Sequence, residues 1–355
     1  MPRRVVVERS TFASRWGMAV AIIGVLVLAL APALFLNSVL RTLVQFFYLL
    51  ALAQMWNLLA GYAGLVSIGQ QAYIGIGAYG LLFFADRLGV NLFVSVFLAA
   101  LVAAVLAIPT AALVFRLRGG YFAIGTWVVA EVYRLLAANT QSLGGGSGVT
   151  ITAAIGIDRT VREYVTYWIA LGLAIASVLI VYYLLRTRLG LALRAVRDRE
   201  MAAPTLGIHV LRAKVQVYVL ASTICGLTGA VIYLSLLRLQ PDATFSVNWT
   251  VFMIFAVVIG GIGTISGPIV GTIVYFLLQQ YLADLGPIYL IILGAVAILV
   301  MVQAPRGLWG LVLDRWNIRF FPVQLRVRVK EDPSAASGPN ETTEPERVRG
   351  RSVDG

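Results

Sequence analysis

The sequence predicts an all-α polytopic membrane protein that crosses the bilayer with about ten transmembrane helices. Three observations support this prediction. Hydrophobic residues make up 60% of the 355 residues, and charged residues only 12%. Apolar runs close to the length that spans a bilayer recur from residue 17 to residue 304. The formal net charge of +12 is concentrated in short segments beside these runs, which is typical of topology-determining charge and not of a nucleic-acid-binding surface.

The first apolar run covers residues 17–36 and follows a basic segment, residues 1–16. Four arginines lie in that segment: Arg3, Arg4, Arg9 and Arg15. A cleaved signal peptide has an apolar region of about 7–15 residues, so this run is too long for one. We predict a retained first helix preceded by a cytoplasmic N-terminal segment.

Nine further apolar runs predict the remaining spans, at residues 42–60, 67–85, 92–115, 121–138, 164–185, 215–236, 249–265, 268–283 and 287–304. Alternation from a cytoplasmic N-terminus puts the basic residues 116–118, 186–214 and 305–355 on the cytoplasmic side, as the positive-inside rule requires. The transmembrane domain is thus predicted over 17–304. The tail is predicted to be disordered after about residue 323, because it has few apolar residues. Residues 61–67 and 260–268 could instead form re-entrant loops.

Residues 186–214 are a strongly polar segment between two apolar runs. Leu189, Leu193 and Val196 recur at helical spacing with charged residues opposite them, which predicts a short amphipathic helix. Pro204 and Gly207 are expected to end it. One interpretation places this helix on anionic lipid headgroups. The other docks it to a soluble protein.

Acidic and small residues inside the basic segment favour docking to a protein. Glu200 interrupts the positive charge, and alanines allow close approach of a partner surface. Lipid would have no need of either feature. The predicted docking residues are Arg194, Arg197, Asp198, Glu200, Ala202, Ala203 and Gly207.

Residues 59–80 combine repeated glycines with two glutamines at membrane depth. Glycine disfavours a helix interior by about 1 kcal/mol relative to alanine, so the repetition needs a reason. Close helix packing is one reason, and a broken helix that lines a pathway is the other.

Glu131 and Arg134 are spaced to pair on one helix face, either as a structural ion pair or as functional groups. The predicted pathway residues are Ser67, Gln70, Tyr73, Thr126 and Glu131.

Two glycine motifs with the same spacing indicate an internal duplication. Gly61-x-x-Gly64-x-x-Ser67 matches Gly260-x-x-Gly263-x-x-Ser266, and each lies at the cytoplasmic end of a predicted span. An even number of spans separates them, so the sequence predicts two parallel structural repeats.

The residues that enzymes and metal sites use are scarce in this chain. Cys225 and His209 are the single cysteine and histidine, so no catalytic site, metal site or cofactor is predicted. No P-loop motif occurs.

An ion-coupled secondary transporter would need a coupling-ion site, for which Glu131 is the one plausible buried acid. A proton-conducting subunit would need membrane lysines, yet the chain has only Lys214 and Lys330.

Four ordered stretches together resemble a known family. They are NLLAGYAGLVSIGQQAYIGIGAY, GGYFAIGTWVVAEVYRLLAANT with the following GGGSGV, GLALRAVRDREMAAPTLGI, and VVIGGIGTISGPIVG. They are similar to the LivM-type permeases of branched-chain amino-acid ABC importers. Gln70 departs from the family pattern, because many relatives have histidine there. Met201 interrupts the E-A-A…G pattern with which importer permeases dock to their ATPases.

This resemblance implies a type II ABC importer-like fold and a set of partners. The partners would be a second homologous permease subunit, two ABC ATPase subunits docked at residues 186–214, and an extracytoplasmic solute-binding protein. It also implies a bacterial plasma (inner) membrane location with both termini cytoplasmic, and ATP hydrolysis on the partner subunits. The substrate stays open between branched-chain amino acids and urea or short amides.

Overall fold

The computed structural model describes residues 4–8, 23–32, 37–282, 286, 288–304, 306–316 and 326–330. Helices dominate these residues. In chain order they are α1 (Ile23–Pro32), α2 (Asn37–Asn57), α3 (Gln71–Leu82), α4 (Leu92–Val114), α5 (Gly120–Asn139), α6 (Arg159–Arg186), α7 (Arg188–Asp198), α8 (Val210–Leu236), α9 (Pro241–Thr244), α10 (Asn248–Gly260), α11 (Ser266–Leu282), α12 (Ile288–Gln303) and α13 (Gly307–Trp316).

Four short strands within the described ranges form two antiparallel pairs. Strand β1 (Arg4–Glu8) pairs with β4 (Arg326–Lys330), and β2 (Val149–Thr150) pairs with β3 (Arg238–Leu239). The first pair holds the two terminal segments side by side. The tail after about residue 323 was predicted to be disordered. Its described part is the strand β4, and residues 331–355 lie outside the described residues.

Seven helical stretches among the described residues are long and apolar enough to cross a membrane. They are Asn37–Tyr62, Leu92–Val114, Gly120–Asn139, Arg159–Arg186, Val210–Leu236, Pro241–Gly260 and Ile291–Val312. The polytopic helical class is therefore confirmed. The count of about ten helices stays a prediction, because α1, α3 and α11 are shorter than these seven stretches, with 12 residues in α3 and 17 in α11.

Helices α2, α3, α4 and α8 pack closely at the centre of the bundle. Every residue of α3 is buried. A Cβ atom on Gly77 would lie 1.9 Å from the carbonyl oxygen of Gly226, and one on Gly229 would lie 2.1 Å from that of Ile74. Glycine at these positions lets α3 and α8 approach backbone to backbone, which confirms the close-packing interpretation for this part of the glycine-rich stretch.

The chain is not helical where the predicted span 67–85 begins. Helix α2 continues through a π-helical turn, Leu58–Tyr62, and α3 begins only at Gln71. Residues 64–70 between them have no regular helix, and Gly64 takes a left-handed φ of 70°. The break expected from the broken-helix interpretation is thus present, whereas its role in lining a pathway stays a prediction. The break lies at residues 64–70, and the close packing lies in α3.

Candidate functional site

Four of the five predicted pathway residues surround the break in the helix. Ser67 and Gln70 belong to the irregular segment 64–70, Tyr73 lies in the first turn of α3, and Thr126 lies on α5. All four are buried, with 0–2% of their surface exposed. The sequence prediction therefore brings together residues that the structure also places in one region.

Side-chain hydrogen bonds hold this irregular segment in place of a helical ladder. The Ser67 hydroxyl oxygen accepts from the Gly69 amide at 3.3 Å and from the Gln70 side-chain nitrogen at 3.3 Å. The Ile68 amide donates to Thr126 Oγ1 at 3.1 Å. Buried backbone groups must be paired, so these contacts are what make a non-helical segment possible inside the bundle.

Gln70 keeps one polar atom without a partner. Its Oε1 is buried and accepts no hydrogen bond within the described part of the chain. In the neighbouring Gln71, by contrast, Oε1 accepts from the Thr250 hydroxyl. Leaving a buried acceptor unpaired costs about 1–3 kcal/mol. Gln70 is therefore the residue at the break that keeps an unused hydrogen-bond acceptor.

Replacing Gln70 by leucine is expected to slow solute uptake about threefold to tenfold while the amount of folded protein stays the same. The change removes the unpaired acceptor and only one long hydrogen bond, a loss of about 1 kcal/mol. Gln71→Leu is the contrasting variant, because it strands the Thr250 hydroxyl and should lower stability instead. Uptake per molecule, measured in vesicles, separates the two. Unchanged uptake in Gln70→Leu would assign Gln70 to packing alone.

The fifth predicted pathway residue, Glu131, lies apart from this cluster. Its side chain is 47% exposed and forms a 2.5 Å ion pair with Arg134, which also contacts Asp242 at 2.5 Å. One guanidinium thus joins the Glu131 carboxylate on the outward face of α5 to the Asp242 carboxylate of α9. The structural ion pair predicted from the spacing of Glu131 and Arg134 is present, but at the surface of the single chain.

Helix α7 is the amphipathic helix predicted within residues 186–214. Leu193 and Val196 are buried against the bundle, and the arginines lie mainly on the outer side. A 3₁₀ turn, Ala203–Leu206, follows, and Gly207 ends it with a left-handed φ of 74°. The segment therefore lies on the bundle as a helix followed by a compact turn.

The predicted docking residues divide into exposed and buried positions. Asp198, Glu200, Ala202 and Gly207 are exposed. Ala203, by contrast, is only 1% exposed and packs into the chain itself, so in this structure its side chain faces inward and its predicted docking role stays a prediction. The sequence shows two adjacent alanines, and only the 3₁₀ turn decides which one faces inward.

Three charged residues of the docking set have partners within the chain. Lys214 Nζ lies 2.6 Å from the Glu200 carboxylate. The Arg197 guanidinium pairs with Asp198 at 3.0 Å and also donates through Nη1 to the Gly61 carbonyl oxygen at 2.8 Å. The second contact attaches α7 to the turn just before the break.

The two glycine motifs meet at the same place. The Gly263 amide donates to Asn57 Oδ1 at 2.8 Å, and Asn57 Nδ2 donates to the Thr264 carbonyl at 2.8 Å. A Cβ on Gly61 would lie 2.6 Å from the Gly263 nitrogen. Contact between the motifs is thus shown, whereas the parallel repeats inferred from their spacing stay a prediction.

Sequence reasoning did not identify Asn57 or Gln54 as site residues. Gln54 Nε2 donates to the Ile265 carbonyl at 2.8 Å, so both amides tie α2 to the turn between α10 and α11. The available signal was two amide side chains three residues apart in an otherwise apolar run.

Within the described residues, no group of three or more His, Cys, Asp or Glu could hold a metal ion.

Comparisons with known proteins agree with this architecture. Residues 38–301 match the family model described as branched-chain amino acid transport system / permease component. The high-affinity branched-chain amino acid transport system permease proteins LivM of Salmonella typhimurium and Escherichia coli are each 27% identical over 278 residues. That alignment covers 71% of this chain and 65% of each relative.

A more distant relative is the ribose import permease protein RbsC of Bacillus subtilis. It is 32% identical over 145 residues, which is 39% of this chain and 44% of that protein. No solved structure matches this chain. The family model covers most of the chain, including the break at residues 64–70, helix α7 and both glycine motifs. The chain therefore belongs to the family of permease components of branched-chain amino-acid transport systems.

Proposed function

We propose that this chain is the membrane-spanning permease subunit of an ATP-driven ABC importer for branched-chain amino acids. One observation supports this function most directly: a surface amphipathic helix, α7, is bonded through Arg197 to the turn before a buried break in the membrane domain. The break offers a path, and the helix offers a lever that a cytoplasmic ATPase could move.

In this mechanism the ATPase subunits bind the exposed residues of α7 and the turn that follows it. Closure of the ATPases on ATP shifts α7, and the Arg197–Gly61 contact passes the shift to residues 64–70. The Asn57 contacts to Gly263 and Thr264 extend it to the second glycine motif. ATP hydrolysis belongs to the partner subunits. This chain supplies the translocation path and helix α7, which the ATPases move.

The exposed face of α5 supports pairing with a second, homologous permease subunit. Large apolar side chains such as Tyr121 and Trp127 are 76% and 49% exposed there, beside the half-exposed Glu131. A charged group that faces lipid is costly, whereas a subunit interface or a water-filled path accommodates it. The translocation path would then run between the subunits, and a solute-binding protein would deliver substrate from outside.

The membrane placement that we propose is the bacterial inner membrane with both termini cytoplasmic. Pairing of β1 with β4 supports a shared side for the two terminal segments. The basic α7 segment supports the cytoplasmic assignment.

The relatives' names favour branched-chain amino acids over urea or short amides as the substrate. An ion-coupled transporter is disfavoured by the cluster at the break. Ser67, Gln70, Tyr73 and Thr126 provide no carboxylate there for a coupling ion, and Glu131 lies apart from them at the surface.

Docking is tested with two variants at exposed positions, Ala202→Trp and Glu200→Arg. Each should insert normally yet lose copurification with the ATPase subunits and uptake of radiolabelled leucine. The tryptophan would separate the two surfaces, and the arginine would place an unpaired charge in a partly desolvated contact at a cost of about 2–5 kcal/mol. Ala202→Ser is the matched control and should bind normally.

The alternative, in which α7 lies on lipid, gives the opposite result. Glu200→Arg would then be harmless or would strengthen attachment to anionic membrane. Full ATPase copurification by both variants would refute the docking proposal.

A further inference from the structure

A cavity of about 240 Å³ lies at the end of the bundle opposite to α7. It is formed by the beginnings of α2 and α6 and the end of α8. Its lining residues are Leu40, Arg41, Val44, Arg159, Arg162, Glu163, Thr166, Leu234 and Ser235. Three arginines and one glutamate give it a net positive lining, and the leucines and the valine add an apolar wall.

Polar groups in the wall of this cavity are left without partners. Glu163 Oε2 and Thr166 Oγ1 are both buried and have no hydrogen bond within the described residues. Thr166 is only 3% exposed. The guanidinium of the half-buried Arg162 likewise has neither a hydrogen bond nor an ion pair to any residue that the structure describes. A native structure seldom leaves such groups unsatisfied.

The other carboxylate oxygen of Glu163 is fully used. Glu163 Oε1 accepts from Arg41 Nη2 at 2.7 Å and from Arg159 Nε at 2.9 Å. This arrangement fixes the carboxylate and leaves Oε2 for a donor that none of the described residues supplies. A ligand that satisfies the cavity must therefore present a hydrogen-bond donor to Glu163 and an anionic group to Arg162.

A ligand with both a cationic donor and an anionic group is a zwitterion. The position of the cavity indicates that the membrane supplies it. Arg159 begins the membrane-crossing helix α6, and the exposed aromatic rings of Tyr164 and Trp168 follow on the same helix. Exposed aromatic residues of this kind mark the membrane interface. The apolar wall at Val44 lies one helical turn deeper than Arg41, as the glycerol and acyl region of a lipid would require.

We propose that this cavity binds the headgroup of an ethanolamine phospholipid. The lipid phosphate lies against Arg162 and the neighbouring Arg41 and Arg159, and the ethanolamine ammonium donates to Glu163 Oε2. Phosphatidylglycerol would satisfy the arginines but carries no cation for Glu163. The inference needs the chain to lie in a membrane and does not depend on which solute it transports.

The test measures lipid retained by the full-length chain, purified from a defined mixture of phosphatidylethanolamine and phosphatidylglycerol, by native mass spectrometry. The unaltered chain should retain phosphatidylethanolamine in preference. Arg162→Gln should lower retention of both lipids about tenfold, because it removes a charge-assisted hydrogen bond. Glu163→Gln should abolish the preference for ethanolamine. Arg238→Gln, an exposed arginine on the same side outside the cavity, is the control and should retain lipid normally.

Folding is checked separately from binding. Glu163→Gln weakens two ion pairs and can lower stability. Arg162→Gln breaks no side-chain hydrogen bond or ion pair within the described residues, so a loss of lipid in this variant reports on binding. Retention of lipid by Arg162→Gln at the level of the control would refute the proposal. Displacement of the lipid by free leucine would also refute it, in favour of an amino-acid site. Loss of solute-binding-protein affinity without loss of lipid would assign the cavity to that protein instead.

Discussion

Replacing Gly77 by alanine is expected to lower the stability of the folded chain by about 3 kcal/mol or more, at or above the upper end for overpacking a core. The added Cβ would lie 1.9 Å from the Gly226 carbonyl oxygen and 2.9 Å from the Gly226 Cα. Both atoms belong to the backbone of α8, so no side chain can rotate away. Relief requires α3 and α8 to move apart, and every residue of α3 is buried.

The measurement is the yield of monodisperse protein in detergent together with its midpoint of thermal unfolding. Gly172→Ala on α6 is the matched control, because nothing lies within 4 Å of a Cβ placed there. It exchanges glycine for alanine in a helix and should leave stability unchanged or raise it by up to about 1 kcal/mol. Equal yields and equal midpoints for the two variants would show that α3 and α8 do not pack as closely as described.

The glycine-rich stretch shows how much sequence reasoning can recover. Glycine spacing predicts both close packing and a broken helix, and the structure contains both in successive parts of one segment. The surface that each glycine contacts decides whether that glycine serves close helix packing or the break in the helix. Gly77 faces the backbone of Gly226, whereas Gly69 packs against the carbonyl of Thr126. That information lies on distant helices, which local periodicity does not report.

The surface segment gives a similar lesson in more detail. Apolar spacing correctly predicts α7 and its buried residues Leu193 and Val196. It does not predict that Ala203 turns inward, since a 3₁₀ turn has a different residue period from the preceding α-helix. Asn57 was missed for another reason. A single amide in an apolar run is recognisable as unusual, but its partner Gly263 lies 206 residues away.

Hydropathy predicts the number of membrane spans less well than the other features of this fold. The predicted run 67–85 is largely apolar, yet its first residues belong to the irregular segment and only Gln71–Leu82 is α-helical. Apolar composition measures the cost of exposing a segment to water. It does not distinguish a span from a segment buried by neighbouring helices.

Arg197→Ala is expected to reduce solute uptake about 10- to 100-fold, because a charged hydrogen bond is worth about 1.5–3 kcal/mol and each 1.4 kcal/mol is about tenfold. Arg197 Nη1 donates to the Gly61 carbonyl at 2.8 Å, near the end of a helical segment where carbonyls lack partners and a cation is favourable. Gly64 lies against the same side chain, with its Cβ position 3.3 Å from Arg197 Cγ. Glycine there allows α7 to approach the break.

Two readouts separate this coupling role from docking. The Arg197→Ala complex should still copurify with its ATPase subunits, but substrate should no longer stimulate ATP hydrolysis. Arg197→Lys should restore part of the uptake, since an ammonium can donate to the same carbonyl but lacks the guanidinium fork. Arg212→Ala removes an exposed arginine of the same segment outside α7 and the turn that follows it, and should transport normally. Arg197 is also one of the predicted docking residues, so loss of ATPase copurification would show that docking is its main role. Wild-type uptake would show that motion reaches the break by another route. The Asn57 contacts would then be the next connection to test, because they join the same turn to the second glycine motif.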